Sequence, residues 1–241
     1  MLDLQQILEV TTQKGVFMDN YINTLMKVPL FANIEKDSIP VMLKRLKAHH
    51  REYAKNEYVK FSGDPADFIG IVLEGEIQIL RDDYYGNRNI TASFQKGAMF
   101  AEAFACAGVR RLPVDIMCST KSTLMFLDSN HIFNACEGKC EFHHILIQNL
   151  LHIVASKNIL LTQKLRYTSH KTTAEKLMAY FMDQSQYHNS PEFTIPFNRQ
   201  QLADYLGVDR SAMCTEISKL QKEGYIETNR SRFKLLNPLQ L

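Results

Sequence analysis

The chain has 241 residues, of which 45% are hydrophobic and 22% charged, and 26 acidic residues nearly balance its 28 Lys and Arg residues. These values exclude a histone-like polycation, an acidic tail and a largely disordered chain, and the length suits one large or two modest domains. No run approaches the roughly 18 successive apolar residues that a membrane span needs, and the N-terminal segment carries acids where a signal peptide carries Lys or Arg. We therefore expect a cytoplasmic protein with no membrane partner.

The five cysteines are scattered along the chain, at Cys106, Cys118, Cys136, Cys140 and Cys214. An odd, dispersed set in a chain of this size argues against a disulfide framework. On a helix, Cys136, Cys140 and His143 would share one face, so a soft metal, haem iron or thiol oxidation is a chemical option there. The alternative is that these cysteines are small core residues, because no fourth ligand lies nearby in sequence. No metal site is therefore predicted, and the cofactor stays open.

The first half of the chain shows two successive sequence patterns, one typical of helices and one typical of strands. Over the first fifty residues apolar side chains recur three and four positions apart, which predicts helices punctuated by Pro29 and Pro40. From Tyr53 to Leu127 short β-type runs take over, and five of the six glycines there, all except Gly70, recur every eleven or twelve residues. Ile69–Leu73 and Ile77–Leu80 alternate as half-buried strands do. We expect an antiparallel roll of about eight strands.

A helix without Gly or Pro is predicted from Glu141 to Thr168, about seven turns. Its first apolar row alternates four and three residues apart, as a coiled-coil seam with one polar position does: Ile147, Leu151, Val154, Asn158, Leu161, Leu165 and Thr168. A second row on a neighbouring face comprises Leu146, Leu150, Ile153 and Leu160. One row can then pack on the chain's own roll and the other on a second copy. The alternative is one broad face buried within a monomer.

A small separate domain is predicted beyond a boundary near Tyr167–His170. Thr172 and Glu175 have the spacing of a capping box, for a helix from Ala174 to Met182. The expected division is therefore an N-terminal part at 1–140 with helices and roll, the long helix at 141–169, and a C-terminal domain at 170–241.

Two short helices around a glycine turn are the most informative pattern in that domain. Asn198, aided by Gln201, caps the first helix and Asp209 caps the second, while Gly207 supplies the left-handed conformation between them. The inner face of the pair is apolar: Leu202, Ala203, Leu206, Met213, Ile217 and Leu220. This is a helix-turn-helix, and the stretch from Tyr225 to Leu236 predicts a basic β-hairpin, or wing, after it.

One side of this pair of helices carries small and cationic side chains, as a helix that enters the major groove requires. The residues expected to contact DNA are Arg199, Gln200, Arg210, Ser211, Ala212, Thr215, Ser218, Lys219, Lys222, Arg230 and Arg232, with Lys234 beside them. Asp183 and Glu192 are expected to lie away from this side. A helical hairpin whose Arg and Lys are merely solvated is the alternative.

The order of a roll, a long helix and a winged helix-turn-helix resembles the CRP/FNR family of bacterial transcription regulators over nearly the whole chain. Phe61–Ile79 is similar to the family's first roll hairpins. Lys96–Ala105 is similar to the segment that, in cyclic-nucleotide members, carries a Gly-Glu pair for the ribose and an Arg-Ser or Arg-Thr pair for the phosphate.

The resemblance implies an α+β protein with an N-terminal double-stranded β-helix (jelly-roll) sensor domain, a long dimerisation helix and a C-terminal winged helix-turn-helix domain. It implies a non-enzymatic homodimer that regulates transcription, in which an effector signal passes along the long helices to two DNA-reading heads. The implied partners are double-stranded DNA with a pseudo-palindromic operator, a second copy of the chain, RNA polymerase and a small-molecule effector.

The chain departs from the family where a cyclic nucleotide would bind. Glu102 matches the ribose-binding Glu, but Ala101 replaces the Gly before it, and Leu112-Pro113 stands where Arg-Ser is expected. Since Pro offers no N–H and Leu no charge to a phosphate, cyclic AMP is not the predicted effector unless Arg110 or Arg111 takes that place. The effector, still unidentified, is expected near Glu102, Ala103, Phe104, Arg110, Arg111, Asn158 and Thr162.

The second helix of the helix-turn-helix also departs from the family. Its start, Arg210–Thr215, lacks the Glu and the following Arg with which the best-known members read DNA, so their operator sequence does not carry over. Competing hypotheses are a metal- or small-molecule-binding roll enzyme, a scaffold that uses the long helix, and a redox- or metal-sensing regulator. No His lies between His50 and His131, which weakens the enzyme hypothesis because the roll then lacks imidazole ligands.

Overall fold

The computed structural model describes residues 21–82, 88–133 and 141–236, and its contacts divide the chain into two compact units after Ala155. Each unit has its own apolar core. The domain boundaries predicted from the sequence stay a prediction.

Short helical pieces precede the roll. Residues 21–25 are helical, two 3₁₀ turns cover Pro29–Phe31 and Lys36–Ser38, and helix α1 spans Ile39–Arg45. Both prolines lie in the first turn of their piece, where a missing N–H costs no helical hydrogen bond. The helices predicted for this region are therefore present as short pieces in its described part, whereas residues 1–20 lie outside it.

In the described residues, the roll has eight strands in two four-stranded antiparallel sheets. In chain order they are β1 His49–Tyr53, β2 Tyr58–Lys60, β3 Phe68–Glu74, β4 Glu76–Asp82, β5 Arg88–Gln95, β6 Met99–Phe100, β7 Asp115–Cys118 and β8 Ser122–Asp128. One sheet has the order β1-β8-β3-β6 and the other β2-β7-β4-β5. Helices α2 (Glu102–Cys106) and α3 (Ser129–Phe133) accompany them. The predicted roll is confirmed, although its first strand begins slightly earlier than expected.

Strand β3 is the centre of this unit, because nearly all of it is buried on both faces. Ile69 and Ile71 face the core that the N-terminal helices share, whereas Val72 faces the interior of the roll. At Gly70 an added Cβ would lie 2.1 Å from a ring carbon of Phe100, so only glycine allows the two to approach. Gly75 turns the chain into β4 at φ +85°.

Helix α4 spans Glu141–Ser169, in agreement with the sequence prediction. Leu146 and Leu150 are buried in the N-terminal core. Between them Asn149 is also buried, and its Nδ2 donates to the carbonyl oxygens of Leu30 at 2.9 Å and Ala32 at 2.8 Å. The first part of α4 is thus bound to the 3₁₀ turn at Pro29–Phe31 and to Ala32 after it, through both apolar contacts and hydrogen bonds.

Further along α4 large apolar side chains are exposed. The residues Leu151, Ile159, Leu160, Leu161 and Leu165 are between 59% and 67% exposed. The second apolar row is therefore divided: Leu146 and Leu150 are buried in the N-terminal core, whereas Leu160 is exposed. By length and mean hydropathy the stretch Phe142–Ser169 also qualifies as a candidate membrane span, which is weak evidence. A search for uninterrupted apolar runs does not detect it.

Up to residue 236, where the description ends, the second unit has three further helices and three strands. They are α5 Thr173–Tyr187, β9 Glu192–Thr194, α6 Arg199–Leu206, α7 Arg210–Lys222, β10 Ile226–Asn229 and β11 Arg232–Leu235. The strands form an antiparallel sheet in the order β10-β11-β9. The capping box of Thr172 and Glu175 is confirmed at the start of α5, which extends beyond its predicted end at Met182.

The end of α4 is bound to α5 by one carboxylate. The buried Tyr167 donates its hydroxyl proton to Asp183 Oδ2 at 2.7 Å, and Arg166 forms an ion pair with the same oxygen. Burial, together with this carboxylate, raises the pKa of Tyr167 above its usual value. The Tyr167 ring also packs edge-on against Tyr180 at 5.5 Å between centroids.

We predict that Asn149→Ala lowers the free energy of unfolding of the N-terminal unit by about 2–4 kcal/mol, since two carbonyls lose their buried donor. Gln148→Ala, an exposed change on the same helix, is the control and should stay within about 0.5 kcal/mol. Urea unfolding of the full chain measures both. Equal midpoints for the two variants would show that the Asn149 hydrogen bonds contribute nothing to this unit.

Candidate nucleic-acid interface

Helix α6 has reciprocal caps at its start and a glycine at its end. Asn198 Oδ1 accepts the Gln201 N–H at 2.9 Å, and Gln201 Oε1 accepts the Asn198 N–H at 2.9 Å. Gly207 ends the helix at φ +63°, a left-handed conformation that glycine adopts without steric cost. The predicted capping box and glycine turn are both confirmed.

Helix α7 follows at once and presents one apolar face to the core. Asp209 Oδ1 accepts the Ala212 N–H at 2.8 Å and so caps the first turn. Met213, Ile217 and Leu220 are at most 4% exposed, as their spacing predicts. The opposite face of α7 is therefore fixed toward solvent.

The exposed face of α7 carries Arg210, Ser211, Ala212, Thr215, Ser218, Lys219 and Lys222. Two of its hydroxyls are already donors within the helix: Thr215 Oγ1 to the Ser211 carbonyl and Ser218 Oγ to the Cys214 carbonyl, both at 3.0 Å. Their protons are engaged, so these oxygens present lone pairs to an incoming group. The face thus offers hydrogen-bond acceptors between cations.

The wing is the hairpin of β10 and β11, turned through Arg230 and Ser231. Arg230 has φ +54° and is exposed at the tip. The hairpin predicted around Asn229 is confirmed.

Arg199, one of the residues predicted to contact DNA, packs against other parts of its own unit. It is half-buried, its guanidinium carbon lies 4.9 Å from the centroid of the Phe233 ring, and its Nη2 donates to Thr228 Oγ1 at 3.2 Å. Burial lowers the pKa of Arg199. The side chain joins α6 to the wing, and its packing is a structural role that spacing in the sequence does not show.

Arg232, also predicted to contact DNA, has its Nε 2.5 Å from Glu192 Oε1. The expectation that Glu192 lies away from the basic side is wrong, since strand β9 pairs with β11 and brings the acid to the wing. Lys219 and Lys234 also have acidic neighbours, Glu216 at 3.5 Å and Glu227 at 3.6 Å. Much of the predicted positive charge is therefore compensated within the chain.

Three exposed cations on this surface have no acidic partner within the described residues: Arg210, Lys222 and Arg230. Gln200, at the start of α6, is exposed, and its Nε2 donates to Asp204 Oδ1 at 2.8 Å. We call the exposed α7 residues together with Arg230 the DNA face. The individual DNA contacts stay a prediction.

The segment predicted to bind the effector contains a buried acid, Glu102. It also has an apolar residue, Leu112, at the position where the family has an arginine. Glu102 is 4% exposed and follows Ala101, which adopts φ +63° where the family has Gly. Leu112 is 2% exposed and belongs to the interior of the roll. Arg111 Nη1 donates to the Gly63 carbonyl at 2.8 Å, while Arg110 is exposed.

The remaining effector residues divide between the two units. Ala103 is exposed and Phe104 half-buried beside Glu102, whereas Asn158 and Thr162 are exposed on the part of α4 that belongs to the second unit. Their grouping around one ligand stays a prediction.

Cys136 and Cys140, the core of the redox or metal hypothesis, lie outside the described residues, and His143 is half-buried in α4. Cys106 is exposed and Cys118 buried, both as free thiols. Across 21–82, 88–133 and 141–236, no three His, Cys, Asp or Glu side chains come together as a metal site requires.

Two family models match this chain. The cyclic nucleotide-binding domain matches residues 50–139, and the Crp-like helix-turn-helix domain matches residues 175–241, so that together they span more than half of the sequence. The chain belongs to the CRP/FNR family of transcription regulators. CRP/FNR proteins are DNA-binding regulators and not enzymes, and the hypothesis of a roll enzyme is therefore wrong.

Solved structures of similar fold support the CRP/FNR architecture. A protein of Ruegeria pomeroyi DSS-3 described as cyclic nucleotide binding is 17% identical over 91% of this chain and 94% of its own, with a TM-score of 0.50. A protein of Silicibacter pomeroyi DSS-3 described as a cAMP-binding regulatory protein is 18% identical over 91% and 95%, also with a TM-score of 0.50. No curated protein sequence matches this chain. At these identities the likeness shows the fold alone.

We predict that Arg199→Ala lowers the free energy of unfolding of the DNA-binding unit by about 1–2 kcal/mol, because it removes the stacking on Phe233 and the bond to Thr228. Arg210→Ala, at an exposed position, should change it by less than about 0.5 kcal/mol. Thermal and urea unfolding measure the pair. If Arg210→Ala destabilised the unit as much as Arg199→Ala, the distinction between a structural and a free arginine would be wrong.

Proposed function

We propose that this CRP/FNR regulator acts in the cytoplasm as a homodimer that reads a pseudo-palindromic operator under the control of a small-molecule effector other than cyclic AMP. The observation that carries the proposal is the row of exposed apolar side chains along α4, together with the exposed cations and acceptors of the DNA face. RNA polymerase is a further expected partner.

The exposed row of α4 supports the dimer. Leu151, Leu161 and Leu165 belong to the four-and-three spacing that includes Asn158, and all are exposed in the single chain. Burying a leucine side chain is worth about 1.5–3 kcal/mol, so an uncovered row of this length is costly in water. Packing α4 against its copy covers the row, and a paired Asn158 would fix the register of the two helices.

The DNA face supports recognition in the major groove. With their protons engaged, the hydroxyls of Thr215 and Ser218 would accept from the amino groups of cytosine or adenine, and Arg210 would donate to guanine. Ser211 and Ala212 complete the base-facing row, since a small side chain or methyl group fits beside a thymine methyl. Lys219, Lys222, Arg230 and Gln200 then bind phosphates. Arg199 and Arg232 act chiefly by fixing the wing.

The effector is proposed to bind at Glu102, Ala103, Phe104, Arg110 and Arg111, with Asn158 and Thr162 of α4 as further candidates. The position of Leu112 supports an effector other than a cyclic nucleotide, because this side chain is packed in the core where the family has an arginine for the phosphate. Arg111 has its guanidinium bound to the Gly63 carbonyl and is not free to substitute for it.

We predict that selection from random duplexes by the full chain enriches a two-fold symmetric sequence with half-sites about 34–36 Å apart. Arg210→Ala should lose preference at one base pair in each half-site, at about 1–3 kcal/mol per contact. Arg230→Ala should weaken binding to all sequences and reduce the slope of log affinity against log salt by about 0.9 for each phosphate that is no longer neutralised.

Arg232→Ala is the matched control, since Glu192 already compensates its charge, and we expect a smaller change in salt dependence than for Arg230→Ala. An asymmetric or unenriched pool would contradict the dimer model. Equal effects of the two wing variants would contradict the assignment of Arg230 as the free cation.

A further inference from the structure

A groove of about 320 Å³ opens in the roll between the edge strands β1 and β2. Residues of β1, β2, β3 and β8 line it, and it shares none with the effector region proposed around Glu102. Its volume lies at the lower end of the range for small-ligand sites, roughly 300–1,000 Å³. The groove therefore has room for one small molecule.

Aromatic rings that hold one another in place form the floor of the groove. Phe126 packs edge-on against Phe68, at 5.4 Å between centroids, and against Tyr53 at 6.4 Å. The imidazole of His49 stacks on the Phe126 ring at 5.3 Å. Tyr53, Phe68 and Phe126 are at most 6% exposed and pack on one another, so the floor of the groove is preformed and aromatic.

Two of the charged groups that line the groove already have neighbours within the chain. Arg51 lies 3.1 Å from Glu57 Oε1. The Asp128 carboxylate accepts the Asn130 N–H at 2.8 Å and lies 3.0 Å from Nδ1 of His131. Arg51 thus has an acidic partner, and Asp128 accepts a backbone hydrogen bond beside an imidazole.

Lys60 and Asp67 differ from these groups. Both line the groove, yet they form no ion pair with each other, and neither side chain has an oppositely charged partner among the described residues. Lys60 is half-buried, with its Nζ 5.5 Å from the centroid of the Phe68 ring. One free cation and one free carboxylate thus border an aromatic floor.

We propose that this groove binds an aromatic α-amino acid, with its carboxylate on Lys60, its ammonium group on Asp67 and its ring against Phe68 and Phe126. A zwitterion satisfies both charges at once. An aromatic acid would leave Asp67 unpaired beside a second carboxylate, and an aromatic amine would leave Lys60 unpaired beside a second cation. The proposal is independent of the DNA-binding function and does not require that the ligand alter it.

Calorimetric titration of the full chain with L-phenylalanine tests the proposal. The matched probes are 3-phenylpropionate, which lacks the ammonium group, and phenethylamine, which lacks the carboxylate. We expect L-phenylalanine to bind at least about tenfold more tightly than either, since each charge-assisted hydrogen bond contributes about 1.5–3 kcal/mol, which corresponds to tenfold or more.

Two variants assign the contacts. Lys60→Gln should weaken L-phenylalanine and 3-phenylpropionate at least about fivefold and leave phenethylamine unchanged, whereas Asp67→Asn should weaken L-phenylalanine and phenethylamine and leave 3-phenylpropionate unchanged. Lys55→Gln, an exposed change in the β1–β2 turn, is the control and should leave all three affinities unaltered. Thermal unfolding of each variant verifies that the roll is intact.

The proposal is overturned if L-phenylalanine gives no heat of binding at millimolar concentration. It is equally overturned if the intact variants bind L-phenylalanine as the unmodified protein does, or if Glu102→Gln abolishes that binding while Lys60→Gln does not. The last result would place the amino acid at the other region of the roll.

Discussion

A helix of 29 residues without Gly or Pro has more apolar surface than one small domain can cover, and the architecture of this regulator follows from that constraint. The beginning of α4 uses Leu146 and Leu150 to complete the N-terminal core and Asn149 to bind a neighbouring 3₁₀ turn. Its last turn is bound to α5 through Tyr167 and Asp183. Between these two attachments the leucine row stays exposed in the single chain, and this row is the surface that we propose pairs with a second copy.

The features that can be predicted well from the sequence are those that depend on local chemistry. Capping residues such as Asn198 and Asp209 act on N–H groups two or three positions away, and Gly207 is needed wherever the backbone must turn left-handed. The periodicity of Met213, Ile217 and Leu220 likewise depends only on the helix they occupy. The roll, the long helix and the winged helix-turn-helix are therefore predictable from sequence patterns alone.

The features that sequence patterns do not show depend on strand pairing and long-range packing. Arg199 of α6 meets Phe233 of β11 through a contact between elements that are distant in sequence, and Arg232 meets Glu192 because β9 joins the wing sheet. Spacing alone shows neither neighbour, so both arginines resemble free DNA contacts. The same holds in the groove of the roll, where Arg51 has an acidic partner while Lys60 and Asp67 have no oppositely charged partner among the described residues. For this reason a charge count along the sequence overstates the cations that are available to a ligand or to DNA.

The claim that α4 pairs with its copy has a direct test in Asn158→Cys, because equivalent seam residues of a parallel two-fold dimer face one another within disulfide range. Mild oxidation of the full chain should link this variant into a covalent dimer well above the background of the unmodified protein. Gln163→Cys, on another side of α4, should show only that background. Equal linkage at both positions, or none at residue 158, would contradict the account.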